Sequence, residues 1–165
     1  GVLTMLSHHV EIEAVYTIGM PETNSAQGQT FFGRDVFAPV VARLAGGASA
    51  SDLAQPRDGL QKLAVNRPER IGAGMVSGQI IHCDRFGNLV TNIHQSDLAG
   101  STVQRVEAGG FPLGPLRFSY TEVEFGKPLA LMGGSGYLEV AYHGDRADKR
   151  LDFGPGIKVN VHLSA

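Results

Sequence analysis

The stretch Ile157-Lys158-Val159-Asn160-Val161-His162-Leu163 alternates apolar and polar residues without interruption. A period of two places the apolar side chains on one face of an extended chain, so this stretch is predicted to be a half-buried β-strand. Many short strands at close spacing predict an all-β barrel or sandwich, and a barrel is favoured because closure leaves no exposed edge. The other predicted strands, separated by glycine-containing turns, are residues 78–83, 89–94, 102–107, 116–120, 129–132 and 137–143.

The N-terminal part of the chain has a different pattern, which predicts an α/β organisation. Alternation over residues 10–18 predicts a strand. Residues 35–45 are predicted to form a helix that ends at Gly46-Gly47, and residues 52–63 a short helical turn followed by a loop. The apolar stripe of the predicted helix consists of Val36, Phe37, Val40, Val41 and Leu44.

The change of pattern sets the predicted domain boundaries. Residues 65–75 carry glycine and proline residues and show little periodicity, so they are assigned as a linker. Residues 1–64 then form the α/β part, and residues 76–165 form the barrel domain.

The turn Thr30-Phe31-Phe32-Gly33-Arg34-Asp35 opens the predicted helix. Asp35 stands where an acidic side chain can accept the free backbone N–H groups of a first helical turn. Pro39 falls near that turn, where a missing N–H costs little. An ordinary strand–turn–helix junction explains this pattern, and a small-ligand site at a helix N-terminus also fits it.

Composition narrows the class of protein. The 165 residues are 42% hydrophobic with a formal net charge of −2, which predicts a globular chain without a nucleic-acid or membrane partner. The single cysteine, Cys83, excludes an internal disulfide and fits a reducing, cytoplasmic location. The histidines lack metal-ligand spacing, and no phosphate loop or dinucleotide fingerprint is present. Neither a metal nor a cofactor is therefore expected.

Two turns between predicted strands combine suitable groups for a ligand. Asp84-Arg85-Phe86-Gly87-Asn88 offers a carboxylate for an ammonium, an aromatic face for a purine and an amide for an adenine edge. Gly133-Gly134-Ser135-Gly136-Tyr137 offers backbone N–H groups and a hydroxyl for a carboxylate. Ordinary turn chemistry explains each stretch equally well when it is considered alone.

Three stretches in order resemble motifs of the S-adenosylmethionine hydrolases (adenosine-forming), also called hydroxide adenosyltransferases. They are Thr30–Asp35, Asp84–Ile93, and Pro128–Leu131 followed by Gly134–Glu139. This family is related to the fluorinases and chlorinases. The resemblance implies a homotrimer in which the α/β domain of one subunit and the barrel of its neighbour enclose each ligand. It also implies hydrolysis of S-adenosylmethionine to adenosine and methionine.

The resemblance also implies roles for individual residues. Asp84 is expected to bind the methionine amino group, Phe86 and Asn88 the adenine, and Ser135 the methionine carboxylate. Tyr120 is expected on the opposite adenine face, with Phe118 as the alternative. The substrate-binding residues implied in this way are Phe31, Asp84, Phe86, Asn88, Tyr120 and Ser135.

Several positions depart from the family pattern. Phe32 occupies the place of the family's catalytic histidine, so the catalytic residues are unknown. Gly33 replaces the small polar residue of the halide-using relatives, and Gly134 replaces a serine. Gly1-Val2-Leu3-Thr4 resembles a segment well inside the family's N-terminal domain, which predicts that the first part of that domain is absent here. An impaired hydrolase, a non-catalytic binder of adenosine or S-adenosylmethionine, and a structural trimerising module all remain open.

Overall fold

A computed structural model of the chain describes residues 3–19 and 31–164. The chain divides into two compact units, Gly1–Leu63 and Ala64–Ala165. Thr30 of the first motif lies outside the described residues. Within the described ranges, no helix has both the length and the hydropathy needed to cross a membrane.

The first unit contains a two-stranded antiparallel sheet and a short α-helix. Strand β1, Val15–Ile18, pairs with β2, Ala54–Arg57. A single 3₁₀ turn, Leu6–His8, precedes β1. The predicted N-terminal strand is therefore real but begins later than expected, at Val15 rather than near residue 10.

The helical turn predicted over residues 52–63 is wrong. A 3₁₀ turn at Ala50–Asp52 leads directly into β2, which carries Pro56 in its middle. Proline is tolerated there because each strand of a two-stranded sheet has one edge that needs no N–H donor. The pairing with β1 brings together segments that are distant in sequence, and local periodicity does not report such pairing.

The helix predicted over residues 35–45 is present, but it begins with a π-helical turn that was not predicted. Residues Gly33–Phe37 form a π-helical turn that continues into helix α1, Ala38–Ala45. Pro39 lies in the first turn of α1 and Gly46 caps its C-terminus, as predicted. Gly47 follows with a φ of 91°, a conformation that glycine adopts without strain.

Asp35 lies in the first helical turn, as predicted, but its carboxylate pairs with Arg34 and not with a backbone N–H group of the described residues. The Arg34 guanidinium donates to both carboxylate oxygens of Asp35, at 2.6 and 3.0 Å. The same guanidinium lies 4.9 Å from the centre of the Phe31 ring. These hydrogen bonds lower the pKa of the Asp35 carboxyl group and orient it toward its neighbour rather than toward the backbone.

The second unit is a mostly β structure with a nine-stranded, barrel-like sheet. Its elements are β3 Glu69–Ile71, β4 Met75–Cys83, β5 Leu89–His94, β6 Thr102–Ala108, β7 Phe111–Gly114, β8 Leu116–Arg117, β9 Pro128–Met132, β10 Tyr137–Tyr142, α2 Ala147–Leu151 and β11 Lys158–Ser164. The strand order in the sheet is β7-β6-β11-β4-β5-β10-β9-β8, and β3 pairs with β4. Neighbours are antiparallel except for β8 and β9.

The sheet curls into a nearly closed barrel. The strands at the two ends of the order each approach the opposite end, since β7 lies beside β9 and β8 beside β6. Side chains from β4, β5, β10 and β11 fill the main core, which includes Ile80, Leu89, Leu138, Val140 and Val159. A second apolar cluster of Leu129, Leu131 and Ala141 is covered by Tyr120 and Val123.

Some elements of this unit differ from the sequence prediction. Strand β3 lies inside the segment predicted as a linker, and the strand predicted over 116–120 ends at Arg117. Strand β7 and helix α2 have no predicted counterpart. Strand β7 contains a proline, and α2 is only five residues long, which is too short to show a helical period.

The side chains of Asn92 and Ile93 pack closely against Gly78 of β4. The backbone N–H of Gln79 donates to Asn92 Oδ1 at 2.7 Å, and Asn92 Nδ2 donates to the carbonyl of Asn66 at 2.7 Å. A Cβ on Gly78 would collide with Asn92 Oδ1 and with Ile93. Glycine at this position therefore leaves room for the buried Asn92 side chain to accept a hydrogen bond from the backbone of β4. The bond forms where the pairing partner of β4 changes from β11 to β5.

Candidate ligand-binding site

The turn between β4 and β5 is organised by the Asp84 carboxylate. The backbone N–H of Asn88 donates to Asp84 Oδ1 at 2.8 Å, and Asn88 Nδ2 donates to Asp84 Oδ2 at 3.1 Å. The Asp84 N–H in turn donates to the Asn88 carbonyl at 2.9 Å. These three bonds fix the orientation of the Asn88 amide before any ligand arrives.

Helix α2 supports this turn from the other side. The Arg146 guanidinium donates to the Arg85 carbonyl at 2.9 Å and to both carboxylate oxygens of Asp148, at 3.0 and 2.8 Å. The Asp148 N–H donates to the Gly87 carbonyl at 3.1 Å. Hydrogen bonding to Arg146 lowers the pKa of Asp148. The segment that contains Arg146 and Asp148 thus stabilises a turn that is distant from it in sequence.

Gly87 is required by this support. Its φ is 91°, and a Cβ there would lie 2.7 Å from both Arg146 Cβ and Asp148 Oδ1. Any other residue at this position would therefore have a strained backbone and would also collide with Arg146 and Asp148.

Asn88 is linked across the site to Tyr120. Asn88 Nδ2 donates to the Tyr120 hydroxyl at 3.0 Å, and Asn88 is only 8% exposed. Both Nδ2 hydrogens are then engaged, by Asp84 and by Tyr120, and no residue in the described part of the chain donates to Oδ1. Burial is the main cause of the raised pKa of Tyr120, so its hydroxyl stays protonated.

A cleft of about 550 Å³ opens beside this pair. Phe86 stands at its edge with 77% of its surface exposed, so a flat ligand could cover its ring. Tyr120 lines the cleft, whereas Phe118 does not and is 95% exposed. The lining consists of Phe86, Asn88, Tyr120, Tyr142, Gly144, Asp145 and Arg146.

Glu139 of β10 brings a second carboxyl group close to this turn. It is half-buried and packs so closely on Gly133 that a Cβ at Gly133 would overlap its carboxyl oxygen Oε1. Burial, and secondly the negative charge of Asp84, raise the pKa of Glu139. Glu139 in turn contributes to the raised pKa of Tyr120. The Glu139 carboxyl group is thus electrostatically coupled to two members of the predicted site.

Ser135 lies in the turn between β9 and β10. The turn is closed by a hydrogen bond from the Gly133 N–H to the Tyr137 carbonyl at 2.8 Å and by one from the Gly136 N–H to the Gly133 carbonyl at 2.9 Å. Ser135 is exposed, as is Gly134. Strand β10 leads from this turn, through Glu139, to the cleft residue Tyr142.

The structure thus brings together Asp84, Phe86, Asn88 and Tyr120, and it places Ser135 in a separate turn of the same unit. Phe31 and Phe32 belong to the first unit, and both are exposed. Sequence reasoning did not identify the support from Arg146 and Asp148 or the lining residues Tyr142 and Asp145. Among the residues that were missed, only Glu139 could have been noticed in the sequence, because it is an acidic residue in the otherwise uncharged strand Tyr137–Tyr142.

Two family models match the chain. Residues 78–160 match the SAM hydroxide adenosyltransferase C-terminal domain, and residues 1–54 match the N-terminal domain of the same family. The chain belongs to the SAM hydroxide adenosyltransferase family. The C-terminal match contains both turns of the candidate site, together with Tyr120 and Glu139.

Two named relatives are similar to most of this family member's chain. It is 36% identical over 136 residues to a (R)-S-adenosyl-L-methionine hydrolase from Thermus thermophilus, covering 80% of this chain and 49% of the relative. It is 32% identical over 151 residues to a fluorinase from an Actinoplanes species, covering 84% of this chain and 50% of the relative. The chain therefore spans about half the length of these relatives.

Two solved structures have a similar fold. An uncharacterized conserved protein from Thermotoga maritima superposes with a TM-score of 0.71 at 26% identity, covering 98% of this chain and 64% of that chain. A conserved hypothetical protein from Thermus thermophilus gives a TM-score of 0.60 at 30% identity, covering 90% and 60% of the two chains.

Proposed function

We propose that this protein binds S-adenosylmethionine and hydrolyses it to adenosine and methionine. The observation that carries the proposal is the buried Asn88 amide, which Asp84 and Tyr120 hold in place beside a cleft with an exposed aromatic ring. A pre-oriented amide next to aromatic faces suits an adenine base. The family membership and the hydrolase named among the relatives point to the same ligand.

In this proposal the adenine lies in the cleft. The free Oδ1 of Asn88 accepts a hydrogen bond from the exocyclic amino group, because both hydrogens on Nδ2 are already engaged. Phe86 and Tyr120 provide ring faces, and stacking of one base on an aromatic side chain contributes roughly 1–3 kcal/mol.

The amino-acid end of the ligand extends along β10 in this proposal. Each Asp84 oxygen accepts one hydrogen bond in the structure, and a carboxylate has acceptor capacity for more, so an ammonium can add to it. The exposed Ser135 turn supplies a hydroxyl for the carboxylate. Phe31, in the first unit, is proposed as a further contact of the ligand.

The proposed reaction is an in-line displacement. A water oxygen attacks the 5′ carbon, the bond from that carbon to sulfur breaks, and the sulfur keeps the electron pair as neutral methionine is released. The attacking water loses one proton to solvent. Because the sulfonium is already a good leaving group, catalysis consists mainly of positioning and desolvating the water. Phe32 cannot accept a proton, and we assign no general base among the described residues.

A second candidate function is binding of adenosine or S-adenosylmethionine without turnover. Phe32 favours it, because the family's histidine position carries a side chain with no acid–base group. In either case residues 1–64 are proposed to be the C-terminal part of an α/β domain, and the assembly is proposed to be a homotrimer that binds no nucleic acid. A cytoplasmic location stays a prediction.

Two measurements on the purified protein distinguish these functions. Titration calorimetry measures binding of adenosine and of S-adenosylmethionine, and chromatography measures adenosine released from S-adenosylmethionine over time. Binding with release supports the hydrolase, and binding without release supports the non-catalytic binder. Absence of binding by either ligand contradicts both and leaves only a structural, trimerising role.

A further inference from the structure

The position of Glu139 is unusual for a carboxyl group. In the sheet it lies opposite Val90 of β5 and opposite Leu131 of β9. Its neighbours in register are therefore both aliphatic, and Leu131 belongs to the second apolar cluster. A position that served packing alone would be occupied by an apolar residue, because desolvating a carboxyl group opposes folding.

No hydrogen bond or ion pair to the Glu139 carboxyl group is found within residues 64–164 of the described structure. The titratable groups that interact electrostatically with Glu139 are Asp84 from the β4–β5 turn and Tyr120 from the 3₁₀ turn Tyr120–Glu122. One is negative and the other neutral at neutral pH, so neither supplies a positive charge to this half-buried carboxyl group. The cation Arg117 of β8 is in register with Leu131 on the far side of β9, and no hydrogen bond joins it to Glu139 in the described structure.

The backbone is adapted to leave this carboxyl group room. Gly133 has no Cβ, and any Cβ there would overlap Glu139 Oε1. Gly133 also belongs to the turn that presents Ser135. Glu139 therefore lies on the strand that leads from the Ser135 turn to the cleft residue Tyr142.

We propose that Glu139 is a specificity-determining residue that, together with Asp84, accepts the positively charged aminoacyl end of S-adenosylmethionine and so discriminates it from neutral adenosine. This inference rests on the proposed function, since it assigns a role within the same site. The ligand ammonium supplies the missing positive charge, and neutral adenosine leaves the carboxyl group uncompensated. Substrate is then retained more strongly than the nucleoside product.

Replacement of the charge alone tests this role. Glu139→Gln keeps the shape against Gly133 but cannot carry a negative charge. We expect its affinity for S-adenosylmethionine to fall about tenfold or more, as for a lost charge-assisted hydrogen bond, and its affinity for adenosine to change less than about twofold. Glu124→Gln removes the same charge from an exposed loop position and serves as the matched control, with both affinities unchanged. Affinities are measured by titration calorimetry of the purified protein.

A second variant displaces the carboxyl group without changing charge. Gly133→Ala places a methyl group where Glu139 Oε1 lies, so it should reduce S-adenosylmethionine binding selectively as well. Thermal unfolding monitored by circular dichroism establishes that each variant is folded.

Proton release gives a readout that a purely structural role would not change. A cation beside Glu139 favours its ionised form, so S-adenosylmethionine binding near pH 5, slightly above the ordinary carboxyl pKa of about 4.3, should release protons. Calorimetry in two buffers of different ionisation enthalpy measures this release. It should be smaller in Glu139→Gln than in the wild type and unchanged in Glu124→Gln.

The outcomes separate the inference from the proposed function. Selective loss of S-adenosylmethionine affinity with reduced proton release supports the role of Glu139. Equal loss for both ligands, or no loss for either, overturns that role while the proposed function stands. Failure of the wild-type protein to bind either ligand overturns both.

Discussion

The side-chain amide of Asn88 donates a hydrogen bond to the Tyr120 hydroxyl across 3.0 Å, although the two residues are 32 positions apart. This bond joins the β4–β5 turn to the 3₁₀ turn Tyr120–Glu122, and Tyr120 also packs on the second apolar cluster. The polar group that we assign to adenine recognition is therefore anchored both to its own turn and to a packed aromatic side chain.

Truncation of Asn88 tests the assignment of the adenine contact. Asn88→Ala should weaken adenosine binding by about 1–3 kcal/mol, because the adenine amino group loses its acceptor and the site loses a satisfied polar group. Tyr120→Phe is the matched control, since it keeps the ring and removes only the hydroxyl. We expect it to weaken binding less than Asn88→Ala does. Calorimetry measures both, and unchanged affinity in Asn88→Ala would contradict the assignment.

A methyl group at Gly87 should destabilise the protein strongly. Gly87→Ala combines a positive φ with a collision against Arg146 and Asp148, so its cost should exceed the roughly 1–2 kcal/mol of left-handed backbone alone. Gly110→Ala is the control, because Gly110 has a φ of 81° but no atom within 4 Å of an added Cβ. Urea unfolding measures both free energies. Equal losses would mean that the contact with α2 contributes nothing.

The ion pair of Arg146 and Asp148 predicts a dependence of stability on pH. The pKa of Asp148 is lowered in the folded protein, so its contribution to stability is present above the unfolded carboxyl pKa of about 3.9 and is lost as pH falls through the lower folded value. Below about pH 5 the wild type should therefore lose stability more steeply than Asp148→Asn.

Urea midpoints between pH 7 and pH 3 measure this slope. Glu124→Gln serves as the control, because Glu124 is an exposed carboxyl group, and its slope should match the wild type. Parallel curves for the wild type and Asp148→Asn would rule out the assigned pair as a source of acid sensitivity.

Hydrolysis by this protein should be slow. A positioned acid–base group typically contributes about 10²–10⁴ in rate, and Phe32 supplies none. Phe32→His should raise the rate of adenosine release if Phe32 is the defect, while the affinity for adenosine stays within about twofold because the assigned adenine contacts are unchanged. Chromatography of reaction mixtures measures release. Rapid release by the unaltered protein would show that the catalytic groups lie elsewhere.

We expect the protein to assemble as a homotrimer, since the family resemblance implies that neighbouring subunits complete each site. Sedimentation velocity at several micromolar concentrations measures the assembly state. A stable monomer across that range would contradict this expectation, and a dimer would do so equally.

Strand periodicity was predictable because it is a local property. The alternation at residues 157–163 appears as β11, Lys158–Ser164, and residues 89–94 form β5 at the predicted bounds. Alternating side chains must face a core and a surface whichever strands become their neighbours. Gly47, which follows α1 with a positive φ, was predictable for the same reason, because this conformation is a property of a single residue.

The sequence by itself therefore determined most strands of the barrel, including β4, β5, β6 and β11, and the existence of helix α1. Only the tertiary structure decided that β2 pairs with β1, that Arg146 supports a turn 61 residues away, and that Glu139 lies against Gly133. Asp35 shows the same limit, since its carboxylate pairs with Arg34 rather than with the helix backbone. Periodicity and turn chemistry depend on a few neighbouring residues. These contacts instead depend on which distant segments are brought together by folding and on which of several possible partners each side chain then reaches.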